Sequence, residues 1–207
     1  GVPHVLGATY PDTAFGFAYA QAEDNWQLIE DAIPFYRGNS ALFLGMDGAI
    51  TDYLVKWLGL WEAINENYKW DLSPDTRAYV EAFADGLNFY AATHPEEVDE
   101  RKLPVTAKDV VGGFMLRHLM FYGFEGVVRE VNAAERQRQI SRPGEVIAEV
   151  VDLKDIEIGG LPIGSNAFAI APHFSEEGAT RLAINSHQPT TGPVAWYEAH
   201  IQSQSGL

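Results

Sequence analysis

The sequence predicts an α+β fold, helical through its first two-thirds and stranded towards its end. Three observations carry that expectation. From Pro11 to about residue 138, apolar positions recur at helical spacing between Pro and Gly breaks. After Pro143-Gly144 the composition turns to Val, Ile and aromatics in short runs. The two characters are segregated along the chain, as α+β architecture requires.

Taken in order, residues 1–9 read as a short strand ending near Pro11. Pro11-Asp12-Thr13 starts a helix that runs to about Asp31, with Pro and an acidic residue in its first turn. Further helical segments are expected at 35–44, 49–68, 74–93 and 106–138. The breaks between them fall at Pro34, Gly45, Gly48, Ser73-Pro74, Pro95 and Pro104. Beyond Pro143, runs at 146–151 and 156–158 are β-branched, and strand candidates follow at 166–171, 181–186 and 194–202. The expected organisation is a helical region at 1–140, a connecting segment at 141–164 and a stranded region at 165–207, with no internal repeat. Three strands cannot cover both faces of a sheet by themselves, so the chain reads as part of a larger protein.

Composition excludes several classes of function. The 207 residues carry 29 acidic against 14 basic side chains, a formal net charge of -15. A broad basic face for nucleic acid is therefore not expected, nor is adhesion to an anionic membrane surface. There is no cysteine, which removes disulfides, thiol catalysis and thiolate metal sites together. No apolar run reaches the roughly 18 residues of a membrane span. The sequence opens at Gly1-Val2-Pro3 with no basic n-region or apolar h-region, so any signal peptide is expected to be absent or already removed.

The most informative junction is Gly164–Ser165. Gly159-Gly160-Leu161-Pro162-Ile163-Gly164 has the composition of an exposed connection, and Ser165 opens the apolar run Asn166-Ala167-Phe168-Ala169-Ile170-Ala171. A serine hydroxyl needs an adjacent base to become nucleophilic. Scission before Ser165 would supply one, because a free α-amine titrates at roughly 7.7–8.0. Taken alone, Gly-Ser before a strand is also an ordinary turn.

Its company changes that reading. Gly164 to Pro172, Leu182-Ala183-Ile184-Asn185-Ser186-His187 and Trp196-Tyr197-Glu198-Ala199-His200-Ile201 resemble the start of the catalytic subunit of the penicillin acylase family, which are N-terminal-nucleophile amidohydrolases. Upstream, Gly1-Val2-Pro3-His4-Val5, Phe15 to Asn25, Arg37-Gly38 with Gly45, and Phe83 to Tyr90 resemble small-subunit motifs of the same family. The resemblance implies a helical small subunit followed by the first strands of an αββα sandwich. It implies self-cleavage at Gly164–Ser165, with Ser165 as nucleophile on a linear amide. It further implies association of the two products of one precursor, and a periplasmic or secreted location. Oxyanion donors are implied downstream of Leu207.

Further residues enter through the same resemblance. His187, where penicillin acylases proper have glutamine, leans toward the acyl-homoserine lactone and glutaryl-cephalosporin acylase branches. Its implied role is to orient the terminal amine and hydroxyl; read by itself it is a loop histidine beside Gln188-Pro189. The usual proline before that histidine is Ser186 here, which is expected to loosen the turn that aims it. Met120 and Phe124 align with residues gating an acyl pocket, and suit an ordinary core equally well. Glu130 aligns with a calcium ligand, so a structural calcium is implied, while the chemistry itself calls for no cofactor. Glu130 is also a normal solvated carboxylate.

Glu23-Asp24 with Arg37 reads as structural ion pairing, and Glu198 with His200 as packing and hydrogen bonding. The histidines show no zinc-site spacing, and no phosphate-binding glycine loop is present. The expected substrate is an N-acyl amide: a penicillin or cephalosporin side chain, or an N-acyl-homoserine lactone. The alternative is a non-catalytic or truncated family member that only packs against a partner. A helical sensor module fits the first half alone.

Overall fold

The computed structural model describes residues 1–122, 124, 164–187 and 195–206. The described elements, in chain order, are β1 (His4–Gly7), α1 (Tyr10–Arg37), α2 (Ala41–Leu44), α3 (Met46–Trp57), α4 (Leu60–Asp71), α5 (Pro74–Thr93), α6 (Ala107–Phe121), β2 (Gly164–Ile170), β3 (Arg181–His187) and β4 (His200–Ser203). They divide into two units: Gly1–Arg117 together with Tyr197–Leu207, and His118–Trp196.

In the first unit α1 starts at a capping box. Thr9 accepts from the Asp12 amide and the Asp12 carboxylate accepts from the Thr9 amide, which satisfies two end groups at once. The expected break at Pro34 does not occur. Pro34 is accommodated inside α1, which continues one more turn to the Gly38 cap. The bend lies earlier, at Asn25, where the backbone leaves helical geometry (φ -161°, ψ 73°). Its Oδ1 accepts from the Leu28 amide at 3.1 Å, so Asn25 acts as an N-cap within the helix. The expected helix at 49–68 is likewise two helices. Gly59 adopts φ 62°, a left-handed conformation open to glycine, and separates α3 from α4. Gly48, expected to interrupt, is inside α3. α5 spans the predicted 74–93, with Ser73 capping the Thr76 amide at 3.1 Å.

The core lies between α1 and α5. Ala14, Ala18, Ala22 and Trp26 form an i, i+4 stripe of buried residues down α1. They meet Ala84, Leu87, Tyr90 and Ala91 of α5, with Trp26 and Tyr90 stacked at 5.5 Å. Small residues let the helices approach until a Cβ at Gly86 would stand 2.4 Å from the Phe15 carbonyl oxygen. Gly86→Ala is therefore expected to lose about 2–3 kcal/mol, because the obstacle is backbone and the helices must part. Urea unfolding should show a lower midpoint at unchanged slope; a midpoint at or above wild type contradicts this contact. Asn88 pins the following loop, donating to the Val105 carbonyl at 2.7 Å and accepting from its amide at 2.8 Å.

The strands form two pairs. β1 and β4 are parallel, His4 opposite His200 and Gly7 opposite Ser203. β2 and β3 are antiparallel, from Gly164 opposite His187 to Ile170 opposite Arg181. The run at 194–202, expected to join the sheet beginning at Ser165, thus pairs with the N-terminal strand instead. Its approach is anchored on α1: Tyr197 donates to the Asp24 carboxylate, and its ring packs on Phe17 at 5.7 Å. That bond and burial push the Tyr197 hydroxyl well above its ordinary range, burial being the larger cause. The rest of the expected helix at 106–138, apart from residue 124, and the strand runs at 146–151 and 156–158 lie outside the described residues.

Candidate functional site

The β2–β3 hairpin carries the site. Its strands are short apolar runs, joined through a 3-10 turn at Pro172–Phe174 and a turn at Gly178 (φ 65°). Strand register decides which side chains share a face, since neighbours alternate and opposed residues coincide. Ser165 lies opposite Ser186, Gly164 opposite His187 and Asn166 opposite Asn185. Ser165 and Ser186 therefore share one face, while Gly164, Asn166, Asn185 and His187 share the other.

His187 is brought one rung from Ser165, though on the opposite face of the pleat. Asn166 Nδ2 is 3.1 Å from His187 Nε2. Ser186 does not loosen a turn, as had been expected: it retains the backbone N–H that proline lacks, and β3 continues through His187. His187 is consequently a strand residue and not a loop histidine.

The remaining candidates are placed more sparsely. Met120 belongs to the last turn of α6, its side chain outside the described part, and Phe124 is half-buried. Glu130 lies outside the described residues. Among the described residues, no group of three His, Asp or Glu side chains could hold a metal ion. No described helix is long and apolar enough to cross a membrane. The chain runs unbroken through Gly164–Ser165 in β2.

The motifs noted at Phe15–Asn25, Arg37-Gly38 and Phe83–Tyr90 are architectural here. Arg37 does not pair with Glu23 or Asp24; its guanidinium makes two 2.8 Å bonds to Asp109 and donates to the Lys102 and Pro104 carbonyls. Asp24 is taken by Tyr197. The Phe83–Tyr90 motif supplies core residues, the close helix contact and the Asn88 clamp. Asn166 escaped the sequence reading, because only register places an amide beside the imidazole twenty-one residues away.

A family model of penicillin amidase matches residues 1–206, nearly the whole chain. The chain belongs to the penicillin amidase family. Among curated relatives, acyl-homoserine lactone acylase PvdQ of Pseudomonas fluorescens is 28% identical over 218 residues, spanning 97% of this chain and 28% of the relative. PvdQ of Pseudomonas savastanoi pv. phaseolicola is 25% identical over 227 residues with the same coverage. Acyl-homoserine lactone acylase QuiP of Pseudomonas fluorescens is 24% identical over 240 residues, covering 98% of this chain and 29% of the relative. The chain thus spans less than a third of the length of these penicillin amidase relatives.

Proposed function

We propose that this chain carries the nucleophile of an acylase that hydrolyses the amide of an N-acyl substrate, after scission of its own Gly164–Ser165 bond. The observation that supports the reading best is the register at the hairpin's open end. Gly164, the residue that scission would detach, is the partner of His187. Its removal would leave a free amine at Ser165 next to an imidazole on the neighbouring rung.

In the proposed reaction the α-amine of Ser165 takes the hydroxyl proton, directly or through one water, as Oγ attacks the amide carbonyl. Collapse of the tetrahedral intermediate breaks the C–N bond, and the ammonium returns the proton to the departing amine. Water then attacks the resulting ester, giving its proton to the α-amine. Cleavage of the ester releases the acid and restores the serine hydroxyl. His187, on the other face of the strand, addresses the nitrogen rather than the hydroxyl. No step requires a metal, and calcium at Glu130 is proposed only as a structural ion.

Association of the two cleavage products has support in the first unit. Several contacts of the 197–206 segment there join residues on opposite sides of the proposed cut: the β1–β4 ladder, Tyr197 to Asp24, Tyr10 Oη to the Gly206 carbonyl at 2.8 Å, and the Gln204 amide to the Gly7 carbonyl at 3.0 Å. A periplasmic or secreted location is proposed with the acylase reading.

Met120 and Phe124 are apolar, so apolar acyl chains are the expected substrates, including those of N-acyl-homoserine lactones. The test is a panel of N-acyl amides of increasing chain length, assayed on the protein expressed from its complete reading frame. kcat/KM is expected to rise at least about tenfold from short to long apolar acyl groups. Equal or faster turnover of short charged acyl groups overturns that preference. No turnover of any amide by a protein cut at Ser165 overturns the acylase reading and leaves a packing or binding role.

A further inference from the structure

We propose that Asn166 is a positioning residue for His187, setting which ring nitrogen of the imidazole faces the site. The inference rests on the reading of Ser165 as nucleophile and deepens it. Asn166 directly follows Ser165, yet alternation puts its side chain on the face of Gly164 and His187. The amide nitrogen Nδ2 lies 3.1 Å from Nε2 of His187. An amide NH₂ can only donate, so Nε2 accepts through its lone pair. The neutral ring must then carry its proton on Nδ1. His187 is thereby presented as a donor through Nδ1, and its basic nitrogen is already engaged.

This assigns a division of labour. A histidine with Nε2 free could turn that basic nitrogen toward the site in place of a donor. With Nε2 held by Asn166, the imidazole offers its Nδ1–H to the lone pair of the Ser165 amine or to a water bridging to it. The α-amine keeps the role of base. Register sets the arrangement, because Asn166 and His187 project to one face from two hydrogen-bonded strands, diagonally across the intervening Ser165–Ser186 rung.

The test uses the protein from its complete reading frame, with Asn166→Ala, Asn166→Asp, His187→Gln and the double variant Asn166→Ala/His187→Gln. If Asn166 acts through His187, Asn166→Ala lowers kcat about tenfold with little change in KM, and adds nothing in the His187→Gln background. In ¹⁵N-histidine-labelled protein, the His187 signal identified by its loss in His187→Gln should show unprotonated Nε2 in wild type. Asn166→Asp, whose carboxylate can only accept while ionised, should show protonated Nε2. Additive losses in the double variant, an unchanged kcat for Asn166→Ala, or protonated Nε2 in wild type each overturn the inference. Retained hydrolysis by Ser165→Ala would instead overturn the parent reading, so the two failures are separable.

Discussion

Ser165→Ala is expected to leave the Gly164–Ser165 bond intact and to lower amide hydrolysis by at least about 10³-fold. Both effects come from one atom. In the proposed reading Oγ attacks the preceding carbonyl in the precursor, and after scission the same oxygen attacks the substrate. Alanine preserves the strand, because Ser165 sits within β2 opposite Ser186 and contributes no buried packing. A fold defect is therefore not expected, and circular dichroism should match wild type. Ser165→Cys is the companion variant: it keeps a nucleophile at the position and is expected to retain part of the self-cleavage. Mass spectrometry of the purified proteins reads the cut directly. Scission of Ser165→Ala at the same bond would sink the assignment, as would full activity from an uncut chain.

Asp109→Ala is expected to be the most destabilising single change among the described residues, by about 3–5 kcal/mol. Asp109 is 2% exposed and has two tasks. Its carboxylate takes two bonds from Arg37, and it also closes the capping box at the start of α6, where Thr106 N and Oγ1 each donate at 2.7 Å. Removing it leaves a guanidinium with most of its surface buried and no counter-charge. Arg37 also holds the Lys102 and Pro104 carbonyls, so the loop entering α6 loses its anchor.

The same carboxylate makes an acid-dependence prediction. Burial alone would raise its pKa, but the Arg37 guanidinium and the Thr106 bonds together reverse this and leave it below the ordinary 3.8. A group depressed on folding stabilises the native state at pH values above its unfolded pKa. That stability is lost as pH falls below about 4, through the folded value. Wild type should therefore lose stability across that window more steeply than Asp109→Asn. Urea titrations at pH 7 and at steps between pH 5 and 2 measure both effects. Parallel curves for the two proteins would contradict the assignment.

Much of the fold was legible because local rules agreed with the final structure. Ser73-Pro74 starts α5 through a cap and a pre-set φ, and Thr93 ends it, as periodicity indicated. Pro34 misled because a proline disfavours a helix locally without forbidding it, and the packing of α1 carries the helix through to Gly38. Gly59 was overlooked because a positive φ is decided by the angle at which α3 and α4 pack, which a glycine permits but does not announce. The Ser165 candidacy came from a motif, and the register could only supply its neighbours.

By itself, the amino-acid order placed α5 and the hairpin strands, left no thiol chemistry to these residues, and nominated Ser165 and His187 as candidates. These follow from short-range spacing and composition, which act within a few residues. Tertiary structure alone decided that residues 200–203 pair with residues 4–7, that Arg37 meets Asp109, and that Asn166 meets His187. Such pairings are settled by which distant segments bury one another's surface and complete one another's hydrogen bonds. In a strand, a shift of one residue would exchange the two faces and part Asn166 from His187.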